Sequence, residues 1–179
     1  MKKLILAVAI LFLFTGCGDM SNTPTKKVED FLGKYQSMDS DVLSQLEDVI
    51  KEDGDMDDDD RTEYKSLMER QYQNLSYKIK NENINEDKAT VDVEVEVYDY
   101  RNAIDKAEEY RDKNKEEFQD DDKKDDVSKY IKYKIEQLKK VSDKRKYSIT
   151  FNLHKDDGEW VVEDITDSDR EKLHGLYHE

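Results

Sequence analysis

The sequence predicts an α+β domain: an antiparallel sheet of about four strands, covered by helices, with a helical segment inserted between two hairpins. Two observations predict it. The spacing of apolar residues switches between a period of 3.6 and a period of 2 along the chain. Each period-2 run is apolar on one side only, so the sheet has one face to bury, and helices must cover it.

Thr23-Pro24 opens the first helix, with Thr as N-cap and Pro at the first helical position. Val28, Phe31, Leu32 and Tyr35 follow as one apolar stripe. After a break at residues 38–40, Val42, Leu43, Leu46, Val49 and Ile50 form a second stripe. The acidic stretch KEDGDMDDDD (51–60) reads as a loop. Asp60 with Glu63 reads as a capping pair for a third helix bearing Tyr64, Leu67, Met68 and Tyr72.

Leu75, Tyr77 and Ile79 then alternate with polar residues, and NENINED (81–87) is rich in turn formers. Val91, Val93, Val95 and Val97 alternate with Asp92, Glu94 and Glu96, a strand apolar on one face and acidic on the other. These two runs read as a hairpin. Residues 101–141 return to helical spacing, with Ala103, Ile104, Ala107 and Tyr110 in one stripe and Val127, Tyr130, Ile131, Ile135, Leu138 and Val141 in another. The charged run QDDDKKDD (119–126) interrupts them. Tyr147, Ile149, Phe151 and Leu153 make a third strand, KDDG (155–158) a turn, and Trp160 and Val162 a fourth. Thr166 or Asp167 caps a short last helix that ends near Gly175.

The N-terminus has the layout of an export signal. Lys2 and Lys3 precede an uninterrupted apolar run at residues 4–14. Eleven helical residues span about 16 Å, short of the roughly 30 Å hydrocarbon core, so a cleavable segment fits better than a membrane span. The only cysteine of the chain, Cys17, follows at once. Phe14-Thr15-Gly16-Cys17 resembles a bacterial lipobox, whose usual pattern is Leu, a small residue, Gly or Ala, then Cys; Phe14 stands where Leu is commonest. The resemblance implies that the Cys17 thiol carries diacylglycerol, that signal peptidase II cuts between Gly16 and Cys17, and that the chain stays on the extracytoplasmic face of the cell membrane. Two acyl chains give stable anchoring where one is marginal, and a lipidated thiol leaves none for disulfides. The alternative is an ordinary secretory signal followed by an incidental cysteine. The expected layout is a signal peptide at 1–16, a lipidated Cys17 with a polar tether to residue 25, and a single domain at 26–179.

The opening TPTKKVEDFLGKY and the final DGEWVVEDI resemble NTF2-like or cystatin-like domains, which are found in many small bacterial lipoproteins. Lysine outnumbers arginine 24 to 6, and Asn- and Asp-rich loops accompany it, which points to a low-GC genome and a Gram-positive source.

Without residues 1–16 the chain carries 28 basic and 45 acidic residues. That balance argues against nucleic acid, which needs a basic footprint, and against adsorption to anionic lipid. The expected partners are the membrane, through diacylglyceryl-Cys17, and an envelope protein or small ligand.

No residue set points to a metal or cofactor. Asp53, Asp55 and Asp57 alternate like the start of an EF-hand loop, but Asp58 stands where Gly is needed and Tyr64 where Glu is needed. His174 and His178 share helical spacing, with the helix-ending Gly175 between them; His154 reads as an exposed turn-edge residue. Asp92, Glu94 and Glu96 are the acids nearest to an enzyme reading, in which a cavity carboxylate acts as acid or base. No serine sits in a nucleophile motif, so the expectation is a non-catalytic binding module, with a small enzyme or a structural accessory protein as the alternatives. Tyr98, Tyr100, Tyr130 and Tyr133 cluster about the 101–141 segment; they are the candidate binding surface, since tyrosine gives large contact area at low entropy cost, but half-buried core edge is the favoured reading of them.

Overall fold

The computed structural model describes residues 21–178. Its elements run α1 (Pro24–Gln36), α2 (Ser40–Glu52), α3 (Asp58–Gln73), β1 (Ser76–Asn85), β2 (Lys88–Tyr98), α4 (Tyr100–Lys113), a 3₁₀ turn at Lys115–Phe118, α5 (Val127–Lys139), β3 (Lys144–Asp156), β4 (Glu159–Val162) and α6 (Asp167–His174). The four strands form one antiparallel sheet in the order β1-β2-β3-β4. The fold is therefore α+β, with α4 and α5 inserted between β2 and β3. The two expected hairpins merge, because β2 and β3 pair along their whole length from Lys88↔His154 to Tyr98↔Lys144.

Alternation builds the core. Val91, Val93, Val95 and Val97 of β2 and Tyr147, Ile149, Phe151 and Leu153 of β3 all point to the covered face and are buried. Burying each aliphatic side chain is worth about 1.5–3 kcal/mol. Helices α1 and α6 lie against the sheet, α3 packs on both, α2 leans on α3, and α5 joins α3 to α4. The other face is open and ionic. There Glu94 lies 3.0 Å from Lys80 and 3.2 Å from Lys146, while Thr150 donates to Asp92 at 2.7 Å.

Several expectations need correction. The first strand does not stop at Ile79. After an irregularity at residue 80 it continues through residues 81–85, paired with 88–92, and only Glu86 and Asp87 turn. Cross-strand pairing with β2 overrides the turn preference of the three asparagines. The capping box of α3 is Asp57 with Asp60, one turn before the expected pair; Asp60 N–H donates to Asp57 at 2.8 Å. Val49 and Val127 fall off the core, at 66% and 48% exposed.

Contacts to the sheet also come from residues before 26. The Asn22 side chain donates to Gly158 O and accepts from Trp160 N–H, both at 3.0 Å, and Thr25 donates to Glu82. The expected signal segment, Gly16 and Cys17 lie outside the described residues. Among the described residues no helix is long and apolar enough to cross a membrane.

Candidate functional site

Four helices leave an apolar cleft of about 360 Å³ between them. Its walls are Val42, Gln45, Leu46, Asp48 and Val49 of α2, Tyr35 of α1, Tyr64, Met68 and Tyr72 of α3, and Arg170 and His174 of α6, closed by Leu176. The volume lies at the lower end of the roughly 300–1,000 Å³ typical of small-molecule sites.

Each wall follows from local sequence. Tyr64, Met68 and Tyr72 recur every fourth residue, so α3 presents them on one face. Val42, Gln45 and Val49, spaced three and then four, share one face of α2. This helix buries only Leu46 and Ile50 and is held to α3 at its edge, where Lys65 meets Glu47 at 2.5 Å and Arg61 donates to Asp53 O at 3.0 Å. Thr166 caps α6, which places Arg170 and His174 one turn apart. Gly175 ends the helix at φ 70 and turns the chain back, so His174 and His178 do not share a helix face.

The polar floor is a tyrosine–histidine pair. The Tyr72 hydroxyl lies 3.0 Å from His174 Nε2, and the Tyr35 ring meets the Tyr72 ring edge-on at 5.1 Å. Burial pushes the His174 ring down to about 4, with the Arg170 charge adding to the effect. Burial likewise drives the Tyr72 hydroxyl well above its ordinary range. At neutral pH the imidazole is uncharged and the phenol keeps a proton to donate to it. Burial raises Tyr64 and Tyr35 as well, and Arg170 partly opposes the rise at Tyr35.

The tyrosines of the candidate binding surface lie away from this cleft, in two separate groups. Tyr100 is 1% exposed, donates to Leu67 O at 3.1 Å, and is pushed up to about 12 by burial. Tyr98 stacks on it beneath the Arg70 guanidinium, 4.2 Å away. Tyr130 and Tyr133 belong to a separate aromatic group at the tip of the insertion, with Phe118 and Tyr110. A second hollow of about 310 Å³ adjoins Tyr130, but Arg111, Asp112, Lys115, Asp125 and Asp126 make it mostly charged.

The remaining sequence candidates are structural. Asp57 caps α3 and pairs with Lys132 at 3.1 Å, and Asp53 accepts from Asp55 N–H. Asp92, Glu94 and Glu96 lie on the open sheet face, where Lys80 and Lys146 hold the Glu94 carboxyl below its usual range. His154 is half-buried beside Glu163 at 3.4 Å. Among the described residues no group of three or more His, Cys, Asp or Glu is gathered as for a metal ion.

The cleft escapes the sequence reading because its aromatics fit a core stripe equally well. The one available signal was the pair Tyr64 and Tyr72, amphipathic residues where a sealed core favours aliphatic ones. Arg170 left no signal at all.

Comparison with known proteins adds little. No family model and no curated protein matches the chain. Among solved structures, a crystal structure described as a "putative lipoprotein (ycdA)" from Bacillus subtilis subsp. subtilis str. 168 superposes with a TM-score of 0.42 at 18% identity. The match covers 87% of this chain but 47% of that one, so this chain spans about half the length of that neighbour. A TM-score of that size does not establish a common fold.

Proposed function

We propose that this chain is an extracytoplasmic lipoprotein, held on the outer face of the cell membrane by a diacylglyceryl group on Cys17, and that its domain is a non-catalytic binding module. The observation that carries the binding half is the apolar cleft between α1, α2, α3 and α6. Its dimensions suit a small ligand better than the face of an envelope protein. Asp48, the only carboxylate among the described residues on its walls, is exposed, which disfavours catalysis by a cavity acid. Phe14-Thr15-Gly16-Cys17 supports the anchoring half. The cystatin-like or NTF2-like reading is supported by α1 lying across a four-stranded meander whose helical insertion enters between β2 and β3.

The test has two arms. In a bacterial host, Cys17→Ser should abolish labelling of the chain by radioactive palmitate and release it from the membrane fraction. Equal labelling of the variant ends the anchoring proposal. Native mass spectrometry of the chain taken from its own cells should show bound small molecules, lost when Gln45→Trp narrows the cleft mouth. An identical mass profile in the variant ends the binding proposal.

A further inference from the structure

We infer that the cleft takes a small molecule with an apolar body and one anionic group, the body against Leu46, Tyr64 and Met68 and the charge against Arg170. This rests on reading the cleft as the binding site of the module.

Charge decides the class. Arg170 is the one cationic side chain among the described residues lining the cleft. Its ion-pair partner is Asp167 at 3.2 Å, a residue one turn back on α6 with a fully exposed side chain. An exposed i,i+3 pair of this kind is worth little, so the guanidinium is available to a second carboxylate or similar anion. It has a planar fork of donors suited to that geometry. Its field also reaches the floor, where it opposes the ionised-state penalties of Tyr35 and Tyr72 and disfavours a charge on His174. An anion entering the cleft meets a half-exposed guanidinium at the edge of an apolar wall, so the attraction is partly screened by solvent and adds to the apolar contact without replacing it.

The competing occupant is a cation. Three tyrosine rings and a strongly acidic chain would favour a quaternary ammonium group. Asp48, the only acid among the described residues on the walls, and Arg170 are both exposed, but only the Arg170 charge acts on the Tyr35, Tyr72 and His174 rings of the floor. The local charge therefore opposes the global one. Arg170 is flanked by acids on its own helix and sits in a domain that repels anions from a distance. Selectivity for a ligand that is mostly apolar, with a single charge, follows from that balance.

The experiment uses the full chain carrying Cys17→Ser, titrated at pH 7 with octanoate, octanol and octyltrimethylammonium while amide and methyl shifts are followed by NMR. Octanoate should bind with shifts at Leu46, Tyr64 and Met68, about tenfold tighter than octanol, as one charge-assisted contact allows. Arg170→Gln should remove that tenfold advantage and leave octanol binding as it was; Gln45→Trp should weaken both. Octanol binding as tightly as octanoate, octyltrimethylammonium binding tightest, or octanoate binding unchanged in Arg170→Gln overturns the anion assignment and leaves the cleft a binding site. No cleft shift with any of the three overturns both.

Discussion

The side chain of Gln71 behaves as a missing strand residue for Tyr98. Its Nε2 donates to Tyr98 O at 3.1 Å and its Oε1 accepts from Tyr98 N–H at 2.9 Å. Gln71 has no exposed surface, and the amide is the reason that a polar residue can sit there. The pairing occurs where β2 hands over to α4, so it closes the backbone account at the sheet corner. Gln71→Leu keeps the volume and strands a buried donor and acceptor. The expected loss is about 2–4 kcal/mol, from two unsatisfied backbone groups. Urea unfolding measures it, and a loss below about 1 kcal/mol would show that water replaces the amide.

The same corner fixes Gly175. It ends α6 at φ 70, and its carbonyl accepts from Arg101 N–H at 2.8 Å. A Cβ there would stand 2.1 Å from Tyr98 O and 2.4 Å from Gln71 Nε2. Gly158 also has positive φ, at 86, but nothing lies within 4 Å of a Cβ built on it. The two glycines therefore separate strain from collision. Gly158→Ala should cost about 1 kcal/mol, the left-handed penalty alone. Gly175→Ala should cost several times more, because the obstacle is backbone. Equal midpoints in thermal unfolding would contradict this difference.

The strands that form the core were legible because burial on one face leaves a period of 2 in the sequence: Val91 to Val97 and Tyr147 to Leu153 could not be read otherwise. Thr23-Pro24 and Thr166 with Gly175 marked helix ends through local chemistry alone. Residues 81–85 were misread because asparagine carries a turn preference that only the pairing partner can override, and pairing is not local. The cleft was illegible for a related reason. Whether Tyr64 and Tyr72 seal a core or line a hollow depends on how far α2 stands off α3, and the apolar stripe of α2 is the same in either case. Tyr100 shows the other case, an amphipathic residue that belongs to the core as favoured, its hydroxyl finding its partner, Leu67 O, deep inside the fold.

His174 should make stability depend on pH in a window of its own. Burial lowers the ring in the fold to about 4 from the ordinary 6.5, so between those values the unfolded chain binds a proton that the folded chain does not. The contribution is complete above pH 6.5, falls as pH drops from 6.5 to 4, and is flat below. For a partly exposed ring the size is on the order of 2 kcal/mol. Glu47, Glu94 and Glu136, held low by lysine partners, act at more acidic pH because their stabilisation is lost only below the ordinary carboxylate range. His174→Gln removes the titration and leaves those acids in place. The stability difference between the two proteins should change between pH 7 and pH 4 and then stop changing. A constant difference across that range would mean that the ring titrates normally in the fold.

Asn22 offers a last test, on how the fold receives its N-terminus. Its amide clasps the β3–β4 turn from both sides, accepting from Trp160 N–H and donating to Gly158 O. Lys27 adds an ion pair to Glu159 at 3.0 Å, but with Glu159 well exposed that pair is weak. The amide therefore holds residue 22 to the turn more firmly than that ion pair does. Asn22→Ala should cost about 1–2 kcal/mol, because a half-buried strand N–H loses its partner. Asn22→Asp keeps the acceptor for Trp160 but turns a carboxylate oxygen toward Gly158 O in place of the donor, so it should recover no more than part of what Asn22→Ala loses. Trp160 is the only tryptophan in the chain, and its fluorescence reports on the turn directly. In Asn22→Ala its emission should shift to the red and its backbone amide should exchange faster, while amides of Val93 and Ile149 keep their rates. Uniform acceleration across the sheet would mean that the substitution lowered global stability and left the local clasp without a role of its own.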